Sequence, residues 1–471
     1  MAGTCIDLSF LAGRPVAVLG LGSSGLAAAR ALVASGIEVW AWDDAADARN
    51  TAAGVPIVDL GTADLGAVEL FVLSPGIPHT HPRPHPIVRR AKAAGCEIVC
   101  DIELLARAQP DAAYVGVTGT NGKSTTTALI GHILAGGKRP IAVGGNLGTP
   151  ALALAPLAGD GAYVLELSSY QLELLPTPMF VVAVLVNLGA DHLDRHGGMD
   201  GYAAAKSRIF RGQHEGCTAV VGVDDNASRA AYERLRDQGT QTVIPISSAG
   251  PISGGVYAEA GWLVDDTGGK RVRAVRLSTA ANLPGQHNAQ NAAAAYAATR
   301  AAGVAPKTIA RRLATYPGLA HRQELVAEID RVAFVNDSKA TNAEAAACAL
   351  ACYQAIYWIA GGQAKEGGIE PLTGYLARIR HAYLIGEAAE AMAATLGDRI
   401  PVTIAGDLAT AVGQAAAQAR ADDEDGAVVL LSPACASWDQ FANFEARGEA
   451  FRAAVADLPG RRPQPMREAT A

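Results

Sequence analysis

Short apolar runs alternate with alanine-rich stretches along most of this chain, and that alternation confines it to one fold class. Pro15–Leu19, Ile37–Trp42, Glu69–Leu73, Tyr114–Val117, Tyr163–Leu167, Val181–Val186 and Thr218–Val223 are the first such runs; Val332–Asn336, Tyr357–Ala360, Ala382–Ile385 and Val428–Leu431 continue the series. A strand covered by helices on both faces has no polar side, so a nearly unbroken apolar run is its signature. Helical connections between such runs imply parallel sheets. Between them, from about 243 to 276, the pattern turns polar and turn-rich, with Val256–Val264 and Val272–Leu277 as β segments, and predicts a small antiparallel insert. A proline-dense loop from Ser74 to Pro86 and the hinge-like Tyr316-Pro317-Gly318 punctuate the series. A chain of 471 residues exceeds what one core usually organises. Three α/β domains are expected, spanning 1–100, 101–318 and 319–471.

Composition removes several classes. With 50% hydrophobic and 18% charged residues the chain is neither disordered nor a coiled coil. A net charge of −7 argues against a broad grip on nucleic acid. The most apolar stretch, Met179–Leu188, is about half of the roughly 20 residues a membrane span needs, so no membrane insertion is expected. No charged segment followed by an apolar one opens the chain, and nothing is expected to direct export. Cys5, Cys96, Cys100, Cys217, Cys348, Cys352 and Cys435 are scattered and never form C-x-x-C, which predicts a reduced, cytoplasmic setting without a disulfide framework or zinc ribbon.

The sharpest local signal is Gly119-Thr120-Asn121-Gly122-Lys123-Ser124-Thr125, between an apolar run and a helical stretch. Glycines let backbone N–H groups close on a phosphate, a helix N-terminus adds partial positive charge, and Lys123 supplies a full one. Ser124 or Thr125 can then ligate Mg²⁺. Val117 stands where the fullest form of this pattern has glycine. Glu166 closes a later apolar run, where a carboxylate following a phosphate loop commonly serves the metal ion. Gly20-Leu21-Gly22-Ser23-Ser24-Gly25, with Asp43 and Asp44 ending the next run, is a dinucleotide-type turn. Taken alone, that turn admits an NAD-dependent oxidoreductase, and the phosphate loop alone admits a nucleotide-switched binding module. The first leaves the phosphate loop without a task; the second predicts no amino-acid-dependent turnover.

Other features are bland by themselves. His192 and His196 lie four apart, but Leu193 stands where a zinc protease needs its glutamate. His79, His81 and His85 sit among prolines and read as a solvated loop. Lys206 reads as an exposed helix lysine, and Cys435 as a small buried thiol. Asp337–Asn342, Gly361–Lys365 and Ser432–Ser437 each follow an apolar run, so a parallel sheet would gather them into one polar crevice.

Taken together, Gly116–Thr125, Leu165–Ser169, Asp191–Asp194, Gly285–Asn288 and His321-Arg322 resemble the ATP-dependent Mur ligases. Asp337–Asn342, Leu431–Ser437 and Asp439–Phe441 resemble that family's D-glutamate-adding branch. The resemblance implies a Rossmann-like N-terminal domain, a central P-loop ATPase-type domain and a Rossmann-like C-terminal domain. It implies that ATP phosphorylates the carboxylate of UDP-N-acetylmuramoyl-L-alanine and that D-glutamate attacks the acyl phosphate. Ser23, Ser24, Asp43 and Gly76 would hold the UDP moiety. Gly119, Thr120, Asn121, Gly122, Lys123, Ser124, Thr125, Asn288, Asn291, Arg322 and Asp337 would bind ATP, with Asn291 at the adenine. Ser124, Thr125, Glu166, His192 and a carbamylated Lys206 would hold two Mg²⁺ ions. Asn146 would contact the reacting groups alongside Lys123, Glu166, His192 and Lys206. Lys339, Thr341, Lys365, Ser437, Trp438 and Phe444 would bind D-glutamate. A monomer is expected.

Overall fold

The computed structural model describes residues 5–460, apart from 147, 158, 178–179, 281 and 365–366. Nineteen strands among the described residues form three sheets. The first holds β1 (Val16–Leu19), β2 (Val39–Trp42), β3 (Leu70–Leu73) and β4 (Glu97–Val99) in the order β2-β1-β3-β4, all parallel. β1 and β3 are buried at every residue, whereas the edge strand β2 alternates. Unbroken apolar runs therefore mark the middle of the sheet.

The second sheet holds β5 (Ala113–Thr118), β6 (Ile141–Gly145), β7 (Ala162–Glu166), β8 (Val182–Leu185), β9 (Thr218–Gly222), β10 (Thr242–Ser247), β11 (Val256–Glu259), β12 (Trp262–Asp265) and β13 (Val272–Arg276). Its order is β13-β12-β11-β10-β9-β8-β5-β7-β6, which puts β5 between β7 and β8. The antiparallel segment is β11-β12-β13, carried on the sheet's edge by β10, which runs parallel to β9. Ala260 and Gly261, at φ +49° and +79°, make the tight turn between β11 and β12. The third sheet holds β14 (Glu324–Ile329), β15 (Val332–Asn336), β16 (Ala355–Gly361), β17 (Ile379–Ile385), β18 (Val402–Gly406) and β19 (Ala427–Leu431), ordered β14-β15-β19-β16-β17-β18. Only β14 runs antiparallel to its neighbour.

By compactness the chain divides into two units, Met1–Ala280 with Gln286–Tyr316, and Ala281–Gly285 with Pro317–Ala471. The first two sheets lie in the first unit and the third sheet in the second. No helix among the described residues is long and apolar enough to cross a membrane.

Candidate active site

Parallel sheets present their strand C-termini to ligands, and the glycine turn after β5 and Glu166 lie there. β5 ends at Thr118 and runs through a glycine turn into the helix Lys123–Leu134. Gly122 has φ +82°, and a Cβ there would lie 2.1 Å from Asn291 Oδ1, so no other residue fits without displacing its support. The N–H of Thr120 donates to the Asn187 carbonyl and that of Asn121 to Asn187 Oδ1, both at 2.9 Å. Asn187 follows β8, so the neighbouring strand shapes the turn. Lys123 Nζ donates to the carbonyls of Gly119 and Thr120 at 3.0 and 2.8 Å, holding its charge against the loop. Ser124 is half-buried and Thr125 buried. Asn288 and Asn291, expected at the nucleotide, are buried under the turn; Asn291 accepts from Thr126 Oγ1 at 3.3 Å and donates to Asn288 Oδ1 at 3.0 Å.

Glu166 ends β7, next to β5. It is 2% exposed; Oε1 accepts from Asn146 Nδ2 at 2.7 Å, and Oε2 is buried with no protein partner. An unsatisfied buried carboxylate oxygen is costly, and a cation would satisfy it. Lys206 is likewise 2% exposed, which corrects its reading as a solvent-facing lysine. Its Nζ donates to Thr118 Oγ1 at 3.3 Å and lies 4.8 Å above the Tyr202 ring. Burial, then the nearby Lys123 charge, push the Lys206 ammonium far below its ordinary value. His192, at φ +51°, is also pushed down by burial, and its Nε2 lies 3.5 Å from Asp191 Oδ2. Among the described residues no three His, Cys, Asp or Glu gather into a metal-holding cluster.

A cavity of about 470 Å³ opens at the ends of β1 and β3, lined by Gly20, Ser23, Ser24, Asp43, Asp44, Gly76, His85 and Asn146 among others. Gly25 is obligatory here, because a Cβ would meet the Gly20 carbonyl at 1.8 Å. Both Asp43 oxygens are engaged, accepting from Leu21 N–H at 2.7 Å and Ala45 N–H at 2.9 Å. The more exposed Asp44 meets His85 Nε2 at 2.9 Å, a bond that lowers the Asp44 pKa. The solvated-loop reading thus fails for His85, and for His79, which is 9% exposed; His81 alone is exposed. Proline breaks helix and strand, but it does not keep a loop away from a neighbouring cavity.

In the second unit β15, β19 and β16 lie side by side, so their three polar turns meet. Asp337 is 2% exposed and accepts from Ser432 Oγ at 2.9 Å and Gln323 N–H at 3.1 Å. Burial lifts its pKa to about 6 despite the Arg322 charge. Lys339 Nζ lies 5.6 Å over the Phe444 ring; Thr341 is half-buried, Ser437 is 3% exposed and Trp438 is 70% exposed. Lys365 lies outside the described residues.

The description "Mur ligase middle domain" matches residues 117–299, and "Mur ligase, glutamate ligase domain" matches 321–435. The UDP-N-acetylmuramoylalanine–D-glutamate ligase of Rhodospirillum rubrum is 54% identical over 460 residues, 96% of each chain. That of Paramagnetospirillum magneticum is 55% identical over 452 residues, 96% of this chain and 98% of its own. The chain belongs to the Mur ligase family. Solved Mur ligases share its fold: MurF from Acinetobacter baumannii has a TM-score of 0.56 at 19% identity, covering 86% of this chain and 95% of its own. MurC from Thermotoga maritima has 0.59 at 14%, covering 94% and 99%.

In this Mur ligase, residues that motif reading passes over also shape the site. Asn187 shapes the phosphate loop, and the Asp44–His85 pair lines the first cavity. Arg447, 1% exposed, donates to the Ser338 carbonyl at 2.9 Å, Ser338 Oγ at 3.0 Å, the Cys435 carbonyl at 3.1 Å and the Ala436 carbonyl at 3.3 Å. One buried guanidinium thus ties the turn after β15 to that after β19. An arginine in an alanine-rich helix carries no sequence signal of that role.

Proposed function

We infer that this Mur ligase joins D-glutamate to UDP-N-acetylmuramoyl-L-alanine, using ATP to activate the acid, as a step of peptidoglycan precursor synthesis. The observation that carries the reading is Asn146. It lines the 470 Å³ cavity and also donates to Glu166 beside the phosphate loop, so a molecule filling that cavity would reach toward the γ-phosphoryl group. Ser23, Ser24, Asp43 and Gly76, with Asp44 and His85, would hold the uridine nucleotide. The NAD alternative has no use for the adjoining phosphate loop.

A carboxylate is a poor acyl donor. Transfer of a phosphoryl group onto it is helped chiefly by positioning and charge neutralisation. Gly119, Thr120, Asn121, Gly122, Lys123, Ser124 and Thr125 would surround the ATP phosphates, and Asn146 would orient the acceptor carboxylate. Glu166 and Ser124 or Thr125 would hold one Mg²⁺, and His192 with Lys206 a second. Bound there, Mg²⁺ would supply positive charge to the transferring group. A cationic Lys206 would oppose it, but burial favours the neutral amine, and that form adds to CO₂ to give an anionic carbamate once its proton leaves. Asn288, Asn291, Arg322 and Asp337 would serve the nucleotide, Asn288 and Asn291 from beneath the loop. Lys339, Thr341, Lys365, Ser437, Trp438 and Phe444 would bind D-glutamate.

On this reading residues 1–100 take the UDP substrate, 101–318 ATP and 319–471 the amino acid. The same reading has the enzyme work as a monomer in the cytoplasm. The deciding assay measures phosphate released from ATP with UDP-N-acetylmuramoyl-L-alanine present, with and without D-glutamate. Release that requires D-glutamate is expected; release indifferent to it overturns the ligase reading and favours a nucleotide switch. Lys206→Ala should lose turnover and regain part of it with added formate or acetate; absence of any rescue would count against the carbamate.

A further inference from the structure

Ser169 and His196, both buried, and the half-buried Glu173 form a chain that the reaction outlined above does not use. His196 Nε2 lies 2.9 Å from Ser169 Oγ, and Nδ1 lies 3.3 Å from Glu173 Oε1. A carboxylate only accepts, so Nδ1 carries a proton, while the serine hydroxyl can pair with Nε2 as donor or acceptor. This is the connectivity of an acyl-transfer triad. A nucleophile must meet its substrate, however, and Ser169 and His196 are only 3% and 5% exposed. The chain of bonds acts as a clamp instead.

What the clamp holds follows from its neighbours. Ser169 opens the short helix Ser169–Glu173, just after Glu166 closes β7, and a capping box between Ser168 and Gln171 fixes that start. His196 closes the turn that begins with His192. Its ring stacks on Tyr170 with centroids 5.3 Å apart and planes 10° apart, and tilts against Tyr202 at 5.4 Å. Tyr202 meets Thr120 Oγ1 of the phosphate loop at 3.1 Å and lies under Lys206 Nζ. Tyr170 meets the His192 ring at 5.5 Å and carries the Arg195 guanidinium at 4.4 Å, while Arg195 donates to the Gly76 carbonyl at 3.0 Å on the rim of the first cavity. A non-glycine residue at φ +51°, as His192 is, persists only where its surroundings hold it.

We propose that His196 is a positioning residue of the ligation site: its two hydrogen bonds tie the His192 turn to the segment following Glu166, and its ring sets Tyr170 and Tyr202. Through them His192, Glu166, Lys206 and Thr120 keep the mutual placement that Mg²⁺ and ATP require. The proposal rests on the ligase reading for its activity readout, but not for its binding readout.

His196→Phe keeps an aromatic ring and removes both hydrogen bonds. In the full-length enzyme kcat should fall about 10- to 100-fold, as for other residues that orient ligating groups, and the Mg²⁺ concentration supporting half-maximal ATP binding in calorimetry should rise correspondingly. KM for the UDP substrate should move less than kcat. Ser169→Ala should shift both readouts in the same direction by less, and should add nothing to His196→Phe because the two remove one shared bond. His196→Asn, which retains a donor for Glu173, should recover part of the loss. A structural role alone would lower the melting temperature and leave the Mg²⁺ dependence where it is. Folded His196→Phe with wild-type kcat and Mg²⁺ dependence overturns the proposal. Should His196→Phe fail to fold, an unchanged Mg²⁺ dependence in Ser169→Ala overturns it equally. If the wild type shows no D-glutamate-dependent turnover, the ligase reading falls, while the Mg²⁺ dependence of ATP binding still decides the role of His196.

Discussion

Two glycine turns in this chain share one backbone device and put it to different uses. Both follow a buried parallel strand, both lead into a helix, and both need glycine where a side chain would strike a neighbour. In the turn after β5, the adjacent strand contributes the neutral Asn187, the loop carries Lys123, and a buried carboxylate stands beside it. In the turn after β1, the adjacent strand contributes the acid Asp43, whose carboxylate takes up the Leu21 N–H that an anion would otherwise seek. The first arrangement offers a glycine turn, a helix start and a lysine charge, the features that suit a phosphate; the second shapes a cavity wall and satisfies a loop N–H with its own acid. A G-x-G-x-x-G pattern therefore specifies a close approach of backbone, and the neighbouring strand decides what approaches.

The largest test of that contrast is Lys123→Ala. Loss of the phosphate-loop charge should cut D-glutamate-dependent phosphate release by about 100- to 1,000-fold, as for other preorganised charge-stabilising groups. Binding of the UDP substrate, followed by calorimetry, should persist, and its loss would mean that the two turns do not work separately. Next come the glycines. Gly122→Ala should cost roughly 1–2 kcal/mol for its left-handed backbone and also lose activity, since it displaces Asn291. Gly25→Ala should cost about 1–3 kcal/mol by overpacking against the Gly20 carbonyl, seen in urea unfolding, with ATP binding intact.

Asp43→Asn comes third. An amide cannot accept from both Leu21 and Ala45, so the turn loosens, and KM for the UDP substrate should rise about tenfold, equivalent to about 1.4 kcal/mol, with kcat little changed. A fall in kcat with unaltered KM would place Asp43 at the chemistry instead.

The smallest effect belongs to Asp44. His85 lowers its folded-state pKa, so its contribution to stability is present above the ordinary carboxylate range and is lost as pH falls through the lowered value. Its side chain is 67% exposed, and screening holds the contribution below about 1 kcal/mol. Asp44→Asn should remove only that acid-side component of the unfolding curve, and high salt should shrink the difference.

How much was legible depends on burial. Interior strands such as β1, β3, β5, β8, β16 and β19 stand out as apolar runs because helices cover both faces. β4, β6, β14 and β18 do not, and each is a sheet edge; β18, for instance, has no fully buried residue, so its sequence resembles a loop. The glycine turn between β5 and its following helix and the place of Glu166 at a strand end were readable because backbone geometry and apolar runs are written locally. Lys206 was not readable from composition: its helix looks solvated until Tyr202 and Thr118 close over it.

The sequence by itself determined the parallel α/β class, the two glycine turns and the strand-end positions of the polar motifs, because each depends on residues a few positions apart. Only the tertiary structure decided that Asn146 meets Glu166, that Arg447 ties together two strand-end turns, and that His196 sits among rings from separate segments. Those contacts join residues far apart in the chain, and they are required because a polar group shut away from water is costly unless the fold brings it a partner.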